Sequence, residues 1–250
     1  MLRKRVIPCL LLRNGRMVKG KQFNDYRDTG NPVTAARIYN AQSVDELLFI
    51  DIEASKEERT ALLHVIEEVS KELFIPFCVG GGIRNIDTIR MLLRAGADKV
   101  SICTAAFENP DFIHQAVKIF GSQCIVVCVD FKKVGNQYLV YTHSGTKETG
   151  RNVIDYVKEL NELNVGEIML NSIDRDGMMV GYEIDILKTV VEMTPIPVIA
   201  LGGVGKLADF ADAFSIAGVS ATSAASIFHF TDQSPIKANF FLKSAGINVR

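Results

Sequence analysis

Ile75-Pro76-Phe77-Cys78-Val79-Gly80-Gly81-Gly82-Ile83 returns about half a chain later as Ile196-Pro197-Val198-Ile199-Ala200-Leu201-Gly202-Gly203-Val204. Each copy is a short apolar run that breaks into glycine. A run of this kind, with little polar alternation, suits a strand covered on both faces. Further pairs recur at a similar separation: Val44-Asp45-Glu46 with Val165-Gly166-Glu167, Ala95-Gly96 with Ala217-Gly218, and Cys9-Leu10-Leu11 with Cys128-Val129-Asp130. Two related halves account for this spacing.

Working outward, six more runs of the same type appear, which gives eight: 6–12, 46–51, 76–79, 99–102, 125–130, 167–171, 197–200 and 219–224. Between them lie helix-like stretches at 55–73, 87–95, 110–120, 152–163 and 183–193. Asn31-Pro32 has the form of a cap followed by proline at the first helical position. Eight strand–helix units predict one (β/α)8 barrel over residues 1–250, built from half-barrels of about 1–122 and 123–250. Two long insertions, 12–31 and 131–150, are expected to rise from the catalytic face, the second with hairpin-like alternation around Gly135-Asn136.

A chain of 250 residues can bury a large core without staples. The formal net charge of −1 provides no basic field for nucleic acid or anionic membrane. No apolar stretch nears the roughly 20 residues of a membrane span, and residues 1–12 read as a strand rather than a signal peptide. The five cysteines form no C-x-x-C pair and read as reduced thiols of a cytoplasmic protein. His64, His114, His143 and His229 lack metal-ligand spacing, so no metal and no cofactor is expected.

The glycine clusters carry the first chemical signal. Glycine lets backbone N–H groups approach an anion with no Cβ in the way, and a following helix N-terminus adds donors. The loops after the seventh and eighth strands form the common phosphate site of such barrels, here Gly203 with Ala225-Ser226. The repeat predicts a twin at Gly82 and Thr104, beside Cys103. Two such sites imply an elongated ligand with a phosphate at each end.

The motifs Val6-Ile7-Pro8-Cys9-Leu10, Val18-Lys19-Gly20, Val79-Gly80-Gly81-Gly82-Ile83-Arg84, Arg94-Ala95-Gly96-Ala97-Asp98-Lys99-Val100-Ser101, Ser172-Ile173-Asp174-Arg175-Asp176-Gly177 and Phe228-His229-Phe230 resemble the cyclase subunit (HisF) family of imidazole glycerol phosphate synthase, from Met1 to Arg250. That resemblance implies a lyase-type synthase subunit of a glutamine amidotransferase. A HisH-like glutaminase partner makes ammonia, and the barrel carries it through its core to a nucleotide-derived bisphosphate. Ring closure and cleavage there give imidazole glycerol phosphate and an aminoimidazole carboxamide ribotide. It implies Asp130 as catalytic residue and Lys19 and Asp176 as ligand contacts. Arg5, Glu46, Lys99 and Glu167 match the ammonia gate, and Asp98 the glutaminase contact. Asp51 and Asp174 read as structural, and Met178-Met179 as apolar caps of the mouth.

The family places a second essential aspartate at the end of strand one, where this chain has Leu11. Cys103, Asn171, Leu201 and Glu53 also depart from the usual asparagine, threonine, serine and threonine. A leucine cannot transfer a proton. The sequence therefore points first to a paralogue that delivers ammonia onward, with a third enzyme as acceptor, in amidino-sugar and surface-polysaccharide synthesis. The alternatives are the authentic cyclase subunit of histidine biosynthesis and a non-catalytic activator of a glutaminase.

Overall fold

The computed structural model describes residues 3–54 and 63–250. Eight strands run parallel around a ring: β1 (Arg5–Arg13), β4 (Leu47–Asp51), β5 (Phe77–Gly80), β6 (Lys99–Ile102), β7 (Ile125–Val134), β10 (Glu167–Ser172), β11 (Val198–Leu201) and β12 (Ala221–Ala224). Each pairs with its neighbour in that order, and β12 returns to β1, which closes the (β/α)8 barrel. The strands alternate between two environments. Outward side chains such as Leu10, Phe49 and Phe77 join the large core beneath the helices, with Phe49 and Phe77 edge to face at 5.3 Å. Inward ones such as Ile7, Leu48, Cys78, Val126, Met169 and Ile199 form a second cluster along the barrel axis. Burial on both faces is the reason these strands read as continuous apolar runs.

The connecting helices are α1 (Pro32–Ala41), α2 (Leu63–Ser70), α3 (Ile86–Arg94), the short α4 (Thr104–Glu108), α5 (Pro110–Phe120), α6 (Val153–Glu162), α7 (Ile184–Met193), α8 (Leu207–Ser215), the short α9 (Ser226–Phe230) and α10 (Pro235–Ser244). Asn31 caps α1 as its sequence suggests, its side chain accepting from Thr34 N at 3.0 Å ahead of Pro32. Of the stretch expected as helix over 55–73, residues 63–70 form α2, and 55–62 lie outside the described residues.

Both insertions are antiparallel hairpins. Strand β1 runs on into β2 (Arg16–Lys21) and β3 (Asn24–Gly30); β7 runs on into β8 (Gln137–Thr142) and β9 (Lys147–Asn152). Strands β1 and β7 are four places apart on an eight-strand ring, so the hairpins rise from opposite sides of the mouth. Their tips meet. A Cβ on Gly145 would lie 2.9 Å from the Phe23 ring and 3.0 Å from Ile173, so Phe23 reaches across from one hairpin to the other.

The half-chain repeat has a packing cause. A Cβ on Gly81 would sit 2.4 Å from the carbonyl oxygen of Asp51, and one on Gly202 would sit 2.6 Å from that of Ser172. In each half, the end of one strand presses its carbonyl against the glycine just past the end of the next. Both glycines also hold positive φ, +116° and +90°.

Candidate functional site

The C-terminal ends of the barrel strands open into a pocket with about 1150 Å³ of open space. Gly82 and Thr104 line one side, and Gly203, Ala225 and Ser226 another. Both glycine clusters therefore face one mouth. Gly203, at φ +112°, lies where a Cβ would come within 2.3 Å of the Gly181 carbonyl. Among the described residues Ser226 Oγ is buried without a hydrogen-bond partner, a group suited to an incoming acceptor oxygen. Thr104 Oγ1 already accepts from His143 N at 2.9 Å, which ties the β7 hairpin to its side of the pocket.

Asp130 ends the barrel portion of β7 and points inward. It is buried, and burial in this apolar floor pushes its carboxyl up to about 6. Asn171 Nδ2 on β10 donates to Oδ1 at 2.9 Å, and the thiols of Cys103 and Cys128 approach at 3.5 and 3.6 Å, all of which oppose that rise. A carboxyl poised near neutrality can both accept and return a proton. Opposite it, Leu11 lines the pocket on β1, two residues beyond the buried Cys9. Burial raises the Cys9 thiol to about 12, so it supplies no proton carrier on that side.

Lys19 lies deeper than a loop lysine. It is 2% exposed, and its Nζ donates to both carboxylate oxygens of Asp176, at 2.7 and 2.8 Å. The pair fastens the β2–β3 hairpin to the loop after β10, and Gln22 N adds a bond to the Asp176 carbonyl at 2.8 Å. Both residues line the pocket, but each arrives already occupied by the other.

At the opposite end of the barrel, four charges close a ring. Arg5 donates to Glu46 at 2.6 Å and also to Glu167; Lys99 donates to Glu46 at 2.9 Å and to Glu167 at 2.6 Å. Each cation thus bridges both anions. Burial alone would lower Arg5 and Lys99, but the two carboxylates more than offset it and both are raised. Burial opposes ionisation of Glu167 as well, yet its two cations hold it below its ordinary value. A small cavity lined by Ile7, Glu46, Leu48, Cys78, Met169 and Ser223 lies directly beyond the ring, and Ser223 also borders the mouth pocket. Packed side chains of the axial cluster fill the rest of the axis, so the core is not an open tube. Beside the ring, Asp98 is exposed, with one carboxylate oxygen accepting from Phe77 N at 2.8 Å.

Asp51 and Asp174 hold the frame: Asp51 accepts from Glu53 N and Ala54 N, and Asp174 from Lys133 N. Met178 and Met179 do not cap the mouth. Met178 is exposed to solvent, and the Met179 backbone packs against Gly205 instead. Sequence reading missed Phe23 and Tyr26, which line the pocket from within an insertion that has no periodic pattern. It placed Cys103 at the mouth but not against Asp130, and it missed Cys128 there, since an isolated cysteine reads as core.

A profile of the family described as "Histidine biosynthesis protein" matches residues 5–234. The chain belongs to this family. Its relatives include proteins named "Imidazole glycerol phosphate synthase subunit HisF" from two strains of Dehalococcoides mccartyi, BAV1 and CBDB1, each 48% identical across all of this chain and 99% of the relative. The protein of that name from Natranaerobius thermophilus is 48% identical over the full length of both chains. The chain is thus HisF-like from end to end. These family members carry the cyclase subunit's name, so the paralogue reading that Leu11 put first yields to the cyclase alternative. Among the described residues no helix is long and apolar enough to cross a membrane.

Proposed function

We propose that this chain is the cyclase-type synthase subunit of a glutamine-dependent amidotransferase in histidine biosynthesis, working in the cytoplasm with a HisH-like glutaminase. A doubly phosphorylated small molecule spans the mouth, one phosphate on Gly203, Ala225 and Ser226 and the other on Gly82 and Thr104. Ammonia enters at the ring of Arg5, Glu46, Lys99 and Glu167, beside the docking residue Asp98. It reaches the ligand by way of the small axial cavity, with side-chain movement along the packed stretch. Asp130 takes and returns the proton as the ring closes and the ligand is cleaved, and Lys19 and Asp176 hold the ligand from the β1 side.

The observation that carries this reading is the convergence of both glycine clusters and Asp130 on one pocket, with a neutral charge ring at the other end of the same axis. The reaction follows the names of the HisF relatives. The test is turnover of the histidine-pathway bisphosphate by the purified chain with ammonium, then with glutamine and a HisH-like subunit. Formation of imidazole glycerol phosphate is expected; a folded chain that binds the bisphosphate and never turns it over refutes it.

Leu11 favours a second reading, in which the same chain passes ammonia to a third enzyme without cyclising anything. That reading predicts glutaminase activation and protected ammonia transfer in the complex, with no consumption of the bisphosphate.

A further inference from the structure

The two oxygens of Asp130 are held differently. Oδ1 accepts a strong amide N–H from Asn171 at 2.9 Å and the Cys128 thiol at 3.6 Å. Oδ2 accepts from the Cys103 thiol at 3.5 Å. Cys103 stands half-buried on the pocket wall just past the end of β6, and Cys128 lies buried on β7, the neighbouring strand, whose Val127 is in register with Ile102. Both remain thiols at neutral pH. Contact with Cys103 and burial hold Cys128 well above its ordinary value; contact with Cys128 draws Cys103 down, but burial and Asp130 raise it overall. A thiol is a weak donor, far weaker than an amide.

The remaining groups around Asp130 do not take this place. Asp176, from the loop after β10, is paired with Lys19 of β2. Tyr26 of β3 and Cys9 of β1 are both pushed by burial to about 12. Tyr141 of β8 is in register with Asp130, but its hydroxyl donates to Glu148 at 2.6 Å. Asp51 of β4 accepts two backbone N–H groups. Leu11 offers nothing that ionises.

We propose that Cys103 and Cys128 are positioning residues for Asp130, weak donors that aim its carboxylate into the mouth while leaving Oδ2 able to gain and lose a proton. This rests on the reading of Asp130 as the acid–base group. A lone carboxylate facing Leu11 has to take the proton and give it back. A strong donor on Oδ2 would hold it ionised, and no donor would leave that oxygen unaimed.

The test uses the full chain with 13C-labelled aspartate, reading the Asp130 carboxyl titration by NMR in the wild type, Cys103→Asn, Cys103→Ala and Cys128→Ala. The pH profile of kcat is recorded alongside, with ammonium and the histidine-pathway bisphosphate. Cys103→Asn is expected to lower the titration midpoint, and the acid limb of kcat with it, by about one pH unit. Cys103→Ala moves both the other way, while KM for the bisphosphate stays within about twofold. Cys103→Ser, nearly isosteric, covers any variant that fails to fold and should fall between wild type and Cys103→Asn. Unmoved titrations in folded Cys103 variants overturn the proposal, as does a change in KM and kcat together with no shift along the pH axis. A wild type that never turns over sinks the functional reading instead, and the NMR titrations still decide what the thiols do.

Discussion

Leu11 and Asp130 occupy matching positions on opposed strands of the ring, each two residues beyond an inward cysteine, Cys9 and Cys128, and each on the wall of the same pocket. One wall therefore presents an ionisable group and the other a hydrocarbon. Replacing Leu11→Asp restores a carboxylate at the mouth, where the side chain is only partly buried. Turnover of the bisphosphate with ammonium should rise on the order of 10²-fold, within the range of a positioned acid or base. Steady-state assay of the variant decides it; an unchanged rate would show that the β1 side takes no part in proton transfer.

Asp130→Asn should abolish that turnover and yet stabilise the fold. The folded carboxyl titrates at about 6, above the ordinary aspartate value of about 4. The folded chain therefore keeps a proton that the unfolded chain has lost. Its stabilising contribution is full below about pH 4 and fades as pH rises toward 6. At pH 7 the variant should be more stable by up to about 3 kcal/mol, the size of a shift of roughly two units. Urea denaturation of both proteins at pH 4 and pH 7 would reveal the gap opening with pH.

Glu167 carries the opposite sign. Its value is lowered by Arg5 and Lys99 despite burial, so its contribution is present above the ordinary glutamate value of about 4.3 and is lost as pH falls through the lower folded one. Glu167→Gln leaves two cations on one carboxylate and should cost about 3 kcal/mol at pH 7, as expected when one partner of a buried ion pair is removed. In a glutaminase complex it should also release more free ammonia to bulk, measurable with a coupled dehydrogenase assay.

Lys19→Met strands the buried carboxylate of Asp176 and should destabilise the chain by about 3–5 kcal/mol. Adding Asp176→Leu to it should recover most of that loss, because the pair is replaced by apolar groups of similar size. Denaturant midpoints of the two single variants and the double variant form the cycle. Ligand affinity should stay weak in the double variant, which separates binding from stability.

Gly203→Ala places a Cβ 2.3 Å from a backbone carbonyl at φ +112°. The loop has to shift, so inorganic phosphate should bind more than about tenfold more weakly, with the twin cluster at Gly82 untouched. Titration calorimetry on Gly203→Ala and the corresponding Gly82→Ala would resolve the two anion sites one at a time.

The barrel was legible because parallel strands buried on both faces leave unbroken apolar runs, and the halves were legible because Gly81 and Gly202 meet the same steric demand. Arg5, Glu46, Lys99 and Glu167 could be named together only through the family resemblance, since spacing alone reads as four unrelated strand-start charges, and the bridging of both anions by each cation needed coordinates. Lys19 was placed at the mouth but not as the buried partner of Asp176, since a hairpin's docking depends on long-range contacts that no local pattern records. The pairing of Cys103 with Asp130 was hidden for the same reason: a cysteine between strand and helix looks like any other small apolar residue.

Phe23 spanning to Gly145 makes the two hairpins a footbridge over the pocket. A molecule with a bulky anion at either end would have to pass this crossing, or the crossing would have to lift. Capture and escape would then be paced by the same contact, so trimming Phe23→Ala should quicken both, and solvent viscosity should slow the wild type more than the trimmed chain.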